Sequence, residues 1–336
     1  MGADDMSCDG PVTVSIAEGA LEELRHIMKD YSSPLFVSDE IIQSRYSEHV
    51  ENIIETPCKW IMASSYTKNS TQQLEDFDII IGFGGGASLD VAKLIARATH
   101  LNWISIPTAA SHDGIASEVA SVSHDGYKYS ERCTGPLAVI ADVSIISKAP
   151  PMLKLAGLGD IICKTSSLGE WKLAHEVKNE QFDKEVYALV EKALMGVLTD
   201  DSIETLIRAE IDAGRAMSIF GSSRPCSGTE HAISHAMDRS SPNLHGLQVA
   251  FATPICLHYL EQIGYSEIGP DRIVGFMVEH DMPVTLDQMG TTVSSFLDDT
   301  HHALKIMKKR DRYSILEHLN VSDQDLSDTL RNLGYY

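Results

Sequence analysis

Ile79-Ile80-Ile81-Gly82-Phe83-Gly84-Gly85-Gly86-Ala87-Ser88-Leu89-Asp90-Val91-Ala92-Lys93 is the stretch whose reading decides the fold. A β-branched run enters a turn of three consecutive glycines, and an amphipathic helix begins near Ser88. Glycine lets a backbone approach a ligand closely, and the first turn of a helix presents unpaired N–H groups at its positive end. The stretch therefore predicts a strand–turn–helix unit able to seat a pyrophosphate. A glycine-rich turn without a ligand explains the same residues equally well, because short glycine motifs recur by chance. The pattern is neither G-x-G-x-x-G nor a P-loop, so it departs from the standard dinucleotide fingerprint. Asp90 and Lys93, three apart, share one helical face.

Outward from this turn, the first 150 residues alternate between strand and helix signals. Apolar β-branched runs fall at 12–16, 35–37, 60–62, 79–81, 103–106 and 139–140, with amphipathic stretches such as 17–29 between them. Leu21, Leu24, Ile27 and Met28 line one face of that stretch. Strands separated by helices predict a parallel sheet covered on both faces. Residues 118–123 and 127–131 alternate around Asp125-Gly126, which predicts a projecting hairpin. After Pro150-Pro151 the strands stop and helical periodicity runs to the end, so 151–336 reads as an all-α domain. A cleft between the two halves is the default ligand site. Asp39, just after the 35–37 strand, suits either a ribose hydroxyl or the cap of the following helix.

Composition bounds the function. Two domains are the prior for 336 residues, and 43% hydrophobic with 22% charged residues is globular. No apolar run reaches the length of about 18 residues that a membrane helix needs. The N-terminus Met1-Gly2-Ala3-Asp4-Asp5 is acidic where a signal peptide is basic, so a cytoplasmic location is expected. Cys8, Cys58, Cys133, Cys163, Cys226 and Cys256 form no C-x-x-C pair and read as small buried hydrophobes. A net charge of −21 excludes nucleic acid as a partner, and it leaves any anionic ligand to local dipoles and a few placed cations.

The helical half carries a metal-like constellation. His231 and His235 are four apart in Ser227-Gly228-Thr229-Glu230-His231-Ala232-Ile233-Ser234-His235. His245 stands at a turn before the next apolar helix, and Asp160 in Gly157-Leu158-Gly159-Asp160 reads as an acid at the start of a helix. One carboxylate with two or three imidazoles suits zinc with an open position. Glu230 precedes His231, so the H-E-x-x-H order of zinc peptidases is absent. Spacing does not decide which histidine of the pair is the ligand. Lys164, four residues after Asp160, is a candidate for a substrate phosphate or an ordinary solvated lysine.

Four segments, residues 84–93, 107–117, 148–162 and 227–238 with Leu244-His245-Gly246, resemble the superfamily of glycerol dehydrogenases, dehydroquinate synthases and iron-containing alcohol dehydrogenases. Arg310-Asp311-Arg312-Tyr313-Ser314-Ile315-Leu316 is similar to its C-terminal stretch. Within it, Pro107-Thr108-Ala109-Ala110-Ser111-His112-Asp113-Gly114-Ile115-Ala116-Ser117 is most similar to the sn-glycerol-1-phosphate dehydrogenase family.

The resemblance implies a dehydroquinate synthase-like fold: an α/β, non-standard Rossmann-like dinucleotide-binding domain over 1–150 and a helical metal- and substrate-binding domain over 151–336. It implies NAD(H) or NADP(H) held at Asp39, Gly84, Gly85, Gly86, Ala87, Ser88, Thr108, Ala109, Ala110, Ser111 and Ser117. It implies zinc on Asp160, His231 and His245, with Asp113 and His235 facing the substrate. The implied reaction is hydride transfer to dihydroxyacetone phosphate with zinc as Lewis acid, for the phospholipid backbone of archaeal-type membranes, by a homo-oligomer. Rival readings are a glycerol dehydrogenase, a dehydroquinate synthase-type lyase, and a silent dinucleotide-binding protein. Leu247 departs from the family's Glu after His-Gly.

Overall fold

The computed structural model describes residues 13–67, 76–124 and 127–336. The chain divides into two compact units, Met1–Pro150 and Pro151–Tyr336. The first unit runs β1 (Thr13–Ala17), α1 (Leu24–Ile27), β2 (Pro34–Ser38), α2 (Glu40–Ile54), β3 (Lys59–Met62), β4 (Ile79–Gly84), α3 (Gly86–Thr99), β5 (Trp103–Pro107), β6 (Val119–His124), β7 (Tyr127–Arg132), β8 (Ala138–Asp142) and α4 (Val143–Ile146). Among the described residues, six strands form one parallel sheet in the order β1-β8-β5-β4-β2-β3. Every residue of β2, β4, β5 and β8 is buried, which is why those runs are apolar throughout rather than alternating. The edge strands β1 and β3 hold no fully buried residue.

From β2 the chain steps outward to β3, and from β4 it steps the other way to β5. The strand order thus reverses between β2 and β4, which pair in register with Val37 opposite Gly82. Ligands of open parallel sheets bind beyond the carboxyl ends of strands at such a reversal. The chain leaves those two ends through Asp39 and Gly85.

The amphipathic run at 17–29 is not one helix. It is wound as two 3-10 turns, Ala20–Glu23 and Met28–Asp30, around the short α1. The buried Asp142 carboxylate takes the N–H groups of Gly19 (3.2 Å) and Leu21 (3.1 Å), tightening the first turn around itself. Strands β6 and β7 form the expected antiparallel hairpin, with Val119 opposite Arg132; Asp125 and Gly126 lie outside the described residues, as do Val12, Cys8 and the acidic N-terminus. The paired face of α3 anchors this hairpin: Lys93 Nζ donates to Asp90 Oδ1 (3.1 Å) and the Val119 carbonyl (2.9 Å), while Ser121 N–H donates to Asp90 Oδ2 (3.1 Å).

The second unit is helical: α5 (Pro151–Ile162), α6 (Lys164–Lys178), α7 (Lys184–Thr199), α8 (Ile203–Phe220), α9 (Thr229–Met237), α10 (His245–Gln262), α11 (Pro270–Glu279), α12 (Val293–Lys309), α13 (Ile315–His318) and α14 (Asp323–Asn332). Pro151 opens α5, where its missing N–H costs nothing. Its main core gathers Phe251, Phe296, Met289, Ile255 and Tyr335 around α10. No helix among the described residues is long and apolar enough to cross a membrane.

Burial opposes the Asp142 charge, but hydrogen bonds from Ser144, Leu21 and Gly19 outweigh it and hold the carboxyl below its usual value. A depressed carboxylate stabilises the fold above its unfolded-state pKa and loses that contribution as pH falls toward the folded one. Asp142→Asn is expected to lower unfolding free energy by about 1–3 kcal/mol at neutral pH. In urea titrations the gap between wild type and variant should narrow below about pH 4.

Candidate functional site

Helices α5 and α10 meet backbone to backbone. A Cβ on Gly246 would overlap the Ala156 carbonyl, and a Cβ on Gly159 would overlap the carbonyl oxygen of Gly246. The residues beside these glycines, Asp160 and His245, are thereby brought into one neighbourhood, and α9 delivers His231 to it. The His231 Nε2 atom lies 3.5 Å from Asp160 Oδ1, and the His231 and His245 rings are 5.3 Å apart. His235 stacks on His245 at 5.4 Å, on the more exposed side. Asp160 is not at a helix start: it occupies the last turn of α5. Gly159 stays inside that helix because the packing against α10 leaves no room for a Cβ there.

The surrounding hydrogen bonds orient both imidazoles. His231 Nδ1 meets Glu230 Oε1 at 3.0 Å, and Glu230 is in turn held by Ser166 Oγ (2.9 Å) and Gly228 N–H (2.6 Å). Ser234 gives its one hydroxyl hydrogen to Gln248 Oε1 (2.8 Å), so its 2.7 Å contact with His245 is received from Nδ1–H. Each ring has Nδ1 engaged, and His231 Nε2 faces the Asp160 carboxylate. That is the carboxylate- and hydroxyl-backed arrangement of metal-ligating histidines.

The charges agree with a cation site. Burial opposes the Asp160 charge, but Lys164, His231 and His245 outweigh it and keep its pKa well below the carboxylate range. Burial likewise opposes a charged His231, and Cys163, Asp160 and Glu230 raise its pKa well above the ordinary value. Lys164 is fully buried with Nζ 3.3 Å from Asp160 Oδ2, so it is no solvated lysine. An ionised carboxylate and two oriented imidazoles fit a zinc-like ion.

Sequence reasoning passed over Cys163. With Asp160 and His231 it completes a buried group whose ligand atoms lie within 4.8 Å of one another. Its sulfur is 3.8 Å from His231 Nδ1 and donates to the Asp160 carbonyl at 3.0 Å, and burial raises its pKa. The signal was the Asp160-to-Cys163 spacing of nearly one helical turn. Cys133, Cys226 and Cys256 are buried, and Cys58 is partly exposed.

A second missed residue is Glu170, fully buried on α6. It accepts from Thr229 N–H (3.1 Å), Thr229 Oγ1 (2.5 Å), Ile315 N–H (3.0 Å) and Arg224 Nη1 (3.3 Å). Arg312 donates to the Ser227 carbonyl (3.2 Å) and Ser223 Oγ (2.9 Å). The C-terminal segment 310–316 therefore fastens the turn from which α9, and hence His231, begins.

In the first unit, Asp39 Oδ1 caps α2 by accepting from Ile41 and Ile42 N–H at 2.9 and 3.0 Å. Its Oδ2 is directed at Gly84, 3.6 Å from the place of a Cβ there, so one carboxylate serves the cap and still offers an acceptor at the turn. Thr108 N–H bonds the Gly84 carbonyl (3.0 Å), tying the segment after β5 to the turn. Gly85, Gly86, Ala87, Ser111 and Asp113 retain exposed surface. Ser88, Ala109, Ala110 and Ser117 are buried, and Ser117 Oγ bonds the Val119 carbonyl.

A family model described as iron-containing alcohol dehydrogenase matches residues 15–150. The glycerol-1-phosphate dehydrogenase [NAD(P)+] of Methanosarcina barkeri is 33% identical over 91% of this chain and 90% of its own. The chain belongs to the glycerol-1-phosphate dehydrogenase family. The family's enzyme from Archaeoglobus fulgidus is 30% identical over 97% of this chain and 98% of its own. For the fold, a probable glycerol dehydrogenase from Sinorhizobium meliloti superposes with a TM-score of 0.71, at 20% identity over 96% of both chains.

Gly246→Ala is expected to keep the helical circular dichroism and lose bound zinc, as measured by metal analysis after gel filtration. Ser234→Ala should weaken zinc affinity by about 10–100-fold in competition with a chelating dye, the range typical for lost outer-shell partners.

Proposed function

We propose that the chain catalyses NAD(P)H-dependent reduction of dihydroxyacetone phosphate to sn-glycerol 1-phosphate. The observation that carries the reading is the pairing of end-to-end similarity to glycerol-1-phosphate dehydrogenases with a cluster of buried Asp160 and His231 and half-buried His245 whose imidazoles are already oriented. In this reading the first unit binds the dinucleotide, with the pyrophosphate at Gly84, Gly85, Gly86, Ala87 and Ser88 and the nicotinamide half along Thr108, Ala109, Ala110, Ser111 and Ser117. The Asp39 Oδ2 acceptor takes the ribose.

Asp160, His231 and His245 hold zinc, which when bound supplies Lewis-acid polarisation of a carbonyl oxygen. Glu230 and Ser234 engage Nδ1 of the two rings and so orient them. Lys164 balances the Asp160 charge deep in the helical unit, so His235, at the exposed side of the cluster, is the better candidate for contact with the substrate's phosphoryl group. Asp113 orients the substrate's hydroxyl. A homo-oligomer in the cytoplasm, serving phospholipid backbone synthesis for archaeal-type membranes, completes the proposal. The rival glycerol dehydrogenase reading draws on fold likeness at 20% identity, which carries no substrate.

The test follows NADH oxidation by metal-stripped protein with dihydroxyacetone phosphate, with and without zinc, beside glycerol and NAD+ as the rival pair. Zinc-dependent oxidation with the phosphorylated ketone supports the proposal, and turnover of glycerol alone overturns it. His231→Ala should abolish turnover and zinc retention while changing NADH affinity by less than about twofold, since it removes no cofactor contact.

A further inference from the structure

The residues assigned above to the nicotinamide half and the substrate, Thr108 to Ser111, Asp113 and Ser117, all lie in the connection from β5 to β6. Connections of this kind are ordinarily more mobile than the elements they join. Here the connection is tied at both ends to the strand–turn–helix unit of the glycine turn. At its start, Thr108 N–H donates to the Gly84 carbonyl at 3.0 Å. At its end, Lys93 Nζ of α3 donates to the Val119 carbonyl at 2.9 Å. The same carbonyl accepts from Ser117 Oγ at 3.4 Å, so an ammonium from the helix and a hydroxyl from the connection converge on one oxygen. Between the two ties the chain closes on itself, since Ala116 and Ser117 N–H both bond the Asp113 carbonyl at 3.2 Å.

Lys93 is an unusual choice for this place. Its side chain is fully buried, and removing an ammonium from water carries a penalty that Asp90 Oδ1, at 3.1 Å, offsets only in part. An apolar side chain would pack α3 against its neighbours without that penalty. What the ammonium adds is direction, because it fixes one particular carbonyl two residues beyond Ser117.

We infer that Lys93 is a positioning residue for the nicotinamide half of the cofactor. Through the Val119 carbonyl it holds Ser117 and the Asp113–Ile115 turn at a fixed offset from the glycine turn at the start of its own helix. The inference rests on the dinucleotide reading above and adds a division of labour to it. The diphosphate end belongs to Gly84–Ser88, and the nicotinamide end belongs to a connection that Lys93 clamps from behind.

The test separates the two ends of the cofactor. Lys93→Met keeps the apolar stem of the side chain and removes the ammonium. A second variant, Lys93→Met with Asp90→Asn, also removes the charge left behind and keeps an oxygen for Ser121 N–H. It carries the test if the single variant melts below the assay temperature. Affinities for ADP and NADH are measured by calorimetry and nicotinamide fluorescence, with thermal melting alongside. The expected result is ADP affinity within about twofold of wild type and NADH affinity lowered about tenfold, the scale of one lost charge-assisted hydrogen bond. NADH affinity equal to that of wild type overturns the inference. Equal losses for ADP and NADH also overturn it, because Lys93 then only supports α3. Wild-type protein that binds neither NADH nor ADP overturns the dinucleotide reading itself, and this inference with it.

Discussion

The contact between Gly159 and Gly246 is the constraint on which the helical unit depends. Two helices ordinarily keep their axes 8–10 Å apart because side chains intervene. Here each backbone occupies the space that a methyl group on the other would need. Asp160 follows one glycine and His245 precedes the other, so the close approach of the helices juxtaposes a carboxylate and an imidazole. Orientation is then supplied by neutral partners, Ser234 and Gln248, and by the buried Glu230.

A second layer of order secures α9. Glu170 is a buried carboxylate with four donors from three separate segments, and its partner Arg224 also reaches the Glu180 carboxylate and the Tyr313 carbonyl. Breaking one partner of such a buried pair typically costs about 3–5 kcal/mol because the other charge is stranded. The network runs from buried Glu170 and Arg224 out to half-buried Glu180 and ties the C-terminal 310–316 segment to the turn before His231. The likeness of that segment to relatives thus has a mechanical basis: Arg312 and Ser314 position a helix start, and neither is among the metal ligands.

Charge is handled by the same economy in both units. Lys93 and Lys164 are fully buried cations in an acidic protein, and each is spent on an internal partner: the hairpin for Lys93, Asp160 for Lys164. Both cations are thus committed inside their own units. Asp39 caps α2 with one carboxylate oxygen and turns the other toward Gly84.

The parallel sheet, the projecting hairpin and the switch to helices were legible in the sequence, because strands buried on both faces must be apolar throughout and period-3.6 faces betray helices. The broken 17–29 helix was not, because the Asp142 carboxylate that reshapes it lies more than 100 residues away. The sequence also determined the family and the identity of the residues around the site, since motifs in order along the chain are enough for that. Only the tertiary structure decided that Asp160 closes a helix, that Lys164 is buried, that Cys163 lies beside Asp160 and His231, and that Glu170 fastens the start of α9. The physical reason is that burial, tautomer and partner are set by which backbones can approach one another, and a glycine's spelling does not say which helix will use the space it leaves.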